Sequence, residues 1–418
     1  MSRRKIGYMF HRMLLAASVA AVFAVPTIAS ADTATASSSS SSPAVPTMAQ
    51  ILNASGITTS GYFDVVYNHA NRDLQNGFCD RVADCQNSNL ALHQFGLQVA
   101  KQPKEGFGWL VNVTAGLDAK AFESYPFNTT GSGYQQVDLT QAYGQYAHGP
   151  VTVMAGKFTS IPGMEVIWQP SNFNTSRSIL YTSEPFTETG VRVNYALNDA
   201  VTLVGGVING WDQVSSGVNG GKTVEVAATV APLKSLNFTI SDYNGKLNSA
   251  VGGGAGTSIS MINGPTNIVQ TGDRNLLNLV VNYTPIDPLT LGLDYVNVNQ
   301  HNFAQLMPGS TDLNPLYSNN LITAKYNGFA LYATYMFTPK WRLALRAENF
   351  NDQSGFHFGT PDTTYKEATA TLSWLESDSF ELRGEIRGDH ATNPVFTVAS
   401  GGFSKTLTTY AVEGLYKF

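Results

Sequence analysis

Glu165, Trp168, Arg177 and Glu184 fall within one polar segment, residues 159–185. Two carboxylates and a guanidinium opposed across a narrow passage would set a local field that polar solutes cross and apolar ones do not. On a loop at an exposed surface the same charges would simply be solvated. A second charged set alternates with apolar residues: Arg342, Arg346, Arg383, Arg387 and Lys417 against Glu348, Glu381, Glu385, Asp389 and Glu413. These either form an arginine ladder facing the acids of the first segment or pair across neighbouring strands, where each pair contributes about 0.2–1 kcal/mol and stiffens a wall. The second reading is slightly preferred, and Arg192 is open to both in the same way.

Other reactive groups are sparse. His93 falls on the apolar face of 90–100, where a general base beside lipid would need a serine within hydrogen-bond reach; its same-face neighbours are Ala91 and Phe95. Cys79 and Cys85 stand in a chain that crosses an oxidising compartment, so a disulfide closing a small loop is expected. A metal would need two further ligands, and only Asp80 and Asp84 are near. The run Gly217–Thr223 with Lys222 imitates a phosphate loop, but Ser216 occupies the place of its first glycine. No catalytic residue, metal or cofactor is expected.

The elements that carry these groups alternate with a period of two. Phe380, Leu382, Gly384, Ile386 and Gly388 share one face, and Glu381, Arg383, Glu385, Arg387 and Asp389 the other. The pattern returns at Trp341–Glu348, at 289–295 and at 277–283. Strands of about 9–13 residues suit a tilted bilayer crossing, with lipid on the apolar face and water on the polar one. Short turn-rich links, such as Pro285–Pro288 and Thr338–Lys340, alternate with long polar or Gly-rich segments. Seven turns and eight loops connect sixteen strands, placed near 57–69, 90–100, 107–118, 135–147, 151–158, 187–196, 200–209, 222–231, 236–243, 274–284, 289–299, 321–337, 341–350, 363–375, 379–389 and 405–418. Asn327-Gly328 offers a tight hairpin turn that would raise the number to eighteen. Tyr410, Val412, Gly414, Tyr416 and Phe418 share a face, as expected of a closing strand with aromatics at a membrane interface.

Composition agrees. Only 13% of the residues are charged, about half the share of ordinary globular proteins, which argues against a soluble enzyme. The net charge is −5, and −9 without the four basic residues of the first 31. A nucleic-acid partner would call for a basic chain. Residues 1–31 read as a secretory signal peptide: a basic start, an apolar stretch from Met13, and Ala29-Ser30-Ala31 as the small-residue cleavage pattern. Residues 32–56 form a Ser/Pro-rich periplasmic tether ending in a short helix, and 57–418 the barrel.

Gly156-Lys157-Phe158, Gly163-Met164-Glu165, Asn174–Ser178, Glu184-Pro185, Gly190-Val191-Arg192, Asn209–Asp212 and Gly221–Thr223 resemble the OmpL-like β-barrel porin family of proteobacterial outer membranes. The entry Ile51–Gly56 into Gly61-Tyr62 fits as well. The resemblance implies an all-β transmembrane antiparallel barrel in the bacterial outer membrane, in contact with its lipid. It also implies passive diffusion of small hydrophilic solutes or ions. In porins of this kind the third long loop folds inward, here 159–186, which would make Glu165, Arg177 and Glu184 constriction residues. A homotrimer is compatible with the resemblance. The competing expectation is a plugged surface barrel whose long loops bind a ligand or host partner.

Overall fold

The computed structural model describes residues 52, 54–71, 81, 88–124, 136–215, 221–246, 272–304, 321–358, 360–398 and 402–418. The leader, most of the tether, Cys79 and Cys85 lie outside these residues, as does most of several outer loops.

Period-two alternation yields strands throughout. In chain order they are β1 (Thr58–Ala70), β2 (Asn89–Lys101), β3 (Gly106–Ala115), β4 (Val137–His148), β5 (Val151–Thr159), β6 (Thr187–Asn198), β7 (Val201–Ile208), β8 (Thr223–Leu233) and β9 (Leu236–Lys246). Then come β10 (Asp273–Ile286), β11 (Leu289–Ala304), β12 (Leu321–Thr338), β13 (Trp341–Ser354), β14 (Pro361–Leu375) and β15 (Phe380–Ala391). A two-residue pair, β16 (Phe396–Thr397) and β17 (Phe403–Ser404), precedes β18 (Thr406–Lys417). Two single-turn helices, α1 (Ala119–Phe122) and α2 (Ile179–Thr182), lie in loops.

All strands except β16 and β17 form one closed antiparallel barrel of sixteen, each paired with its sequence neighbour and β1 with β18. At the closure Gly61 and Phe418 exchange backbone hydrogen bonds of 2.8 and 2.9 Å. Gly61 gives the Phe418 ring room there, since a Cβ would lie 2.5 Å from that ring and 3.0 Å from the Gly96 carbonyl oxygen. Outward residues are large and apolar and stay exposed, among them Leu345, Leu372, Ile386 and Val412, while the inward residues between them are buried and polar. That partition is what lipid outside and polar groups inside demand.

Two expectations are corrected. Asn327-Gly328 makes no hairpin: β12 runs unbroken, with Asn327 paired to Asn297 on one side and Asn351 on the other. The glycine serves packing instead, since a Cβ there would lie 2.7 Å from Leu180 Cδ1. His93 does not face lipid. In the β1–β2 register Asp64 pairs with Gln94 and Val65 with Leu92, so His93 is a bulged residue. The bulge breaks the alternation and turns both His93 and Gln94 inward, each at most 4% exposed.

Candidate functional site: the segment between β5 and β6

The chain leaves β5 at Thr159 and returns in β6 at Thr187, and both junctions are tied. Gly156 has φ +135°, and a Cβ there would lie 2.3 Å from the Ala142 carbonyl oxygen, so glycine lets β5 turn against β4. Lys157 then reaches Asp138 (3.1 Å) and the Leu139 carbonyl (2.8 Å). At the far end Asp212 accepts hydrogen bonds from the Phe186 and Thr187 amides at 2.8 and 2.9 Å. Burial pushes the Asp212 carboxyl up to about 7, against the pull of those two amides. Asp212→Ala would leave both amides without their acceptor and destabilise this anchor by about 1–3 kcal/mol. Faster protease nicking within 159–186 of the folded barrel is the expected readout, and an unchanged rate would count against the anchor.

Between these ties the segment meets inward-facing side chains from β9 round to β1. Ile161 N–H donates to Tyr243 Oη (3.2 Å), Gly163 N–H to Asn278 Oδ1 (3.4 Å) and Met164 N–H to Asp294 Oδ2 (2.8 Å). Tyr326 Oη donates to the Ser183 carbonyl at 2.6 Å. Glu348 accepts from the Ile179 and Leu180 amides at 2.7 and 3.1 Å, so a carboxylate meets the first turn of α2, where amide protons point outward. Ser178 caps the same turn by accepting from Tyr181 N–H. Glu385 accepts from the Thr175 and Ser176 amides at 2.7 and 3.0 Å. Glu413 accepts from Gln169 Nε2 (2.8 Å) and Thr175 Oγ1 (2.7 Å). The Trp168 and Tyr62 rings meet edge to face, centroids 4.5 Å apart.

The charges singled out from sequence occupy definite places in this arrangement. Glu165 accepts from Arg346 Nη1 (2.8 Å) and from the Ser178 amide (2.7 Å). Arg177 donates to Gln169 Oε1 and to the Ile167 carbonyl and lies over the Tyr181 ring. Glu184 accepts from Asn278 Nδ2 at 2.8 Å, and the same nitrogen donates to Asp294. Burial, with Asp294 and Glu165 close by, holds the Glu184 carboxyl well above the usual carboxylate range. All three side chains are buried, at 8%, 3% and 2% exposure.

On the wall, Arg346 also pairs with Glu367, Arg383 with Glu381 and Glu413, Arg387 with Asp389, and Arg342 with Glu381. Arg346 and Arg387 additionally donate to the Ser176 and Arg177 carbonyls at 2.7 and 2.5 Å. Cross-strand pairing and contact with the 159–186 segment therefore coexist in the same arginines. Arg192 belongs elsewhere: it is held by Glu188 and Glu225 (2.7 and 2.8 Å) and stacks over Phe158 at 4.2 Å. His93 contacts Asp118 Oδ1 (3.0 Å) and lies 3.5 Å from Asn68, a polar pair inside the barrel.

Sequence reading passed over Tyr62, Asp212, Tyr243, Asn278 and Asp294 as partners of this segment. Alternation places Asn278 and Asp294 on the inward face, but nothing local shows which distant amide each receives. The same holds for an aromatic cluster at the outer end. There the Arg274 guanidinium lies between Trp211 and Phe356, 4.7 and 4.8 Å from their centroids.

Comparison with known proteins agrees with this geometry. No curated protein sequence shows significant similarity to the chain. Among solved structures, the anion-selective porin from Comamonas acidovorans matches with a TM-score of 0.55 at 11% identity, over 87% of this chain and 99% of its own. The outer membrane channel DcaP of Acinetobacter baumannii matches with a TM-score of 0.54 at 14% identity, over 87% and 97%. The trimer form of OmpT, an outer membrane protein of Vibrio cholerae, gives 0.54 at 10% identity, over 87% and 99%. At such identities the likeness establishes the fold. A family model described as "Putative beta-barrel porin-2, OmpL-like" matches residues 56–418, so the chain belongs to that family of outer-membrane porins.

Proposed function

We propose a pore for passive diffusion of small solutes, narrowed by the 159–186 segment folded into the barrel. The observation that carries this reading is the run of hydrogen bonds from that segment to inward side chains between β9 and β1. Glu165, Arg177 and Glu184, with Arg342, Arg346, Arg383 and Arg387 on the wall, hold the segment in place, and Arg192, bound to Glu188 and Glu225, also donates to the Thr159 carbonyl at its root (3.0 Å). Substrate handling then needs no chemistry, only a fixed aperture. A homotrimer is part of the proposal, supported by the trimer form of the Vibrio cholerae relative in fold.

Glu165→Ala and Arg177→Ala are the direct tests. Glu165→Ala strands the buried Arg346 charge, at an expected cost of about 3–5 kcal/mol to loop docking, and Arg177→Ala removes hydrogen bonds from a charged group to Gln169 and the Ile167 carbonyl, about 1.5–3 kcal/mol. Conductance and ion selectivity in planar bilayers should both change; if neither does, the constriction assignment is wrong.

A second reading has an observation in its favour. Arg346, Arg383 and Arg387 are at most 2% exposed, a degree of burial that suits a plugged barrel whose outer loops bind a partner. Loop deletions that abolish binding of such a partner while permeability stays the same would favour it.

A further inference from the structure

Along segment 165–176 most of the polar side chains are buried and most of the partly exposed ones are apolar, the reverse of an ordinary charged eyelet. Glu165, Gln169, Asn172, Asn174 and Ser176 are buried, spending their polar atoms on the wall and on the segment's own backbone. Of the residues between them, Val166, Trp168, Pro170 and Phe173 keep part of an apolar surface exposed, beside the polar Ser171 and Thr175, while Ile167 is buried. Phe173 lies over Arg342, 4.7 Å from guanidinium carbon to centroid, and so covers a wall charge. The inward faces of β6, β7 and β8 are also open in part, and what they present is uncharged: Asn194, Ala196, Thr202, Val204, Ala227 and Thr229. The inward charges of those strands, Glu188, Arg192 and Glu225, are buried in one another's company.

Partly exposed apolar side chains inside a polar barrel lose nothing when an apolar solute body covers them, and gain by shedding water. An inorganic ion gains nothing there. We infer that the strip Val166–Phe173 is a binding face for net-uncharged solutes carrying an aromatic or alkyl body, which makes these rather than ions the preferred cargo. This rests on the pore reading given above. The solute's apolar part rides on the strip, and its polar groups meet the Asn194, Thr202 and Thr229 side of the lumen.

The test records single-channel current through the refolded full-length mature protein with phenylalanine or serine added. Both are zwitterions at neutral pH and differ in the apolar body. Phenylalanine should interrupt the current with dwell times at least about fivefold longer than serine, the effect of covering a modest apolar area. Phe173→Ser and the near-isosteric Val166→Thr should each shorten the phenylalanine dwell, with folding of each variant checked by heat-modifiable gel migration. Equal dwell times for the two amino acids across stable open steps would overturn the inference and leave the pore standing. Long phenylalanine dwells that neither variant shortens would overturn the assignment to this strip. A folded barrel with no open steps would overturn the pore reading and this inference together.

Discussion

Glu348→Ala is expected to release the α2 turn of the 176–183 stretch from the wall, leaving its ties at Ser176, Arg177 and Ser183. The carboxylate receives two amide hydrogen bonds, from Ile179 and Leu180, and lies 3.8 Å from Arg387. Alanine leaves two buried amides without an acceptor and the surrounding arginines with less compensating charge. Removing one partner from such a buried set costs on the order of 3–5 kcal/mol. The sixteen-stranded frame does not depend on these bonds, since β13 keeps its ladders to β12 and β14. The barrel should therefore still fold, with a single-channel conductance raised on the order of twofold and a noisier open state as the aperture loosens. Glu348→Gln, which retains an acceptor oxygen, should fall between. A folded alanine variant with wild-type conductance would show that the segment sets no aperture.

The second large effect is on pH. Glu184 has no basic partner among the described residues; it accepts from Asn278 and faces Asp294 and Glu165, the latter paired with Arg346. Burial first, then those two acids, raises its carboxyl well above the usual range, so the docked segment takes up a proton that a solvated Glu184 would release near pH 4.3. Docking stability is thus complete below that pH and declines as pH rises towards the raised value, by about 1.4 kcal/mol per unit. Wild-type channels should be quiet at pH 5 and flicker at pH 8. Glu184→Gln keeps an oxygen for Asn278, carries no charge, and should be quiet at both. Channels that grow quieter as pH rises would contradict the assignment.

The strands were legible because lipid and water impose opposite demands on successive residues. Phe380–Asp389 already separates its two faces in the sequence, and the structure keeps that separation in β15. Exceptions came where a local pattern met a tertiary one. His93 reads as apolar-face until a single bulge reverses the alternation in its half of β2, so that Leu90 and Leu92 face outward and His93 inward. Asn327-Gly328 reads as a turn, yet its glycine makes room for Leu180, a residue far away in the chain.

The site was legible in composition and not in geometry. The short motifs that carry the resemblance, Gly163-Met164-Glu165 and Asn174–Ser178, are among the places where the 159–186 segment touches the wall. Gly163 has φ +96°, and a Cβ there would lie 2.4 Å from the Glu184 carboxylate, so one motif residue makes space for another. Sequence singled out Glu165, Arg177 and Glu184 as a charged group. It did not show that each would be buried, because their partners Arg346, Gln169 and Asn278 depend on how the segment crosses the barrel.

Single-channel recording of the refolded barrel, residues 57–418 with the preceding tether, in a planar lipid bilayer tests the central claim most directly. Stable, ohmic current steps of uniform size are the expected result for an open diffusion pore with a fixed internal segment. A barrel shown to be folded yet electrically silent would contradict it and leave the plugged, partner-binding barrel in its place.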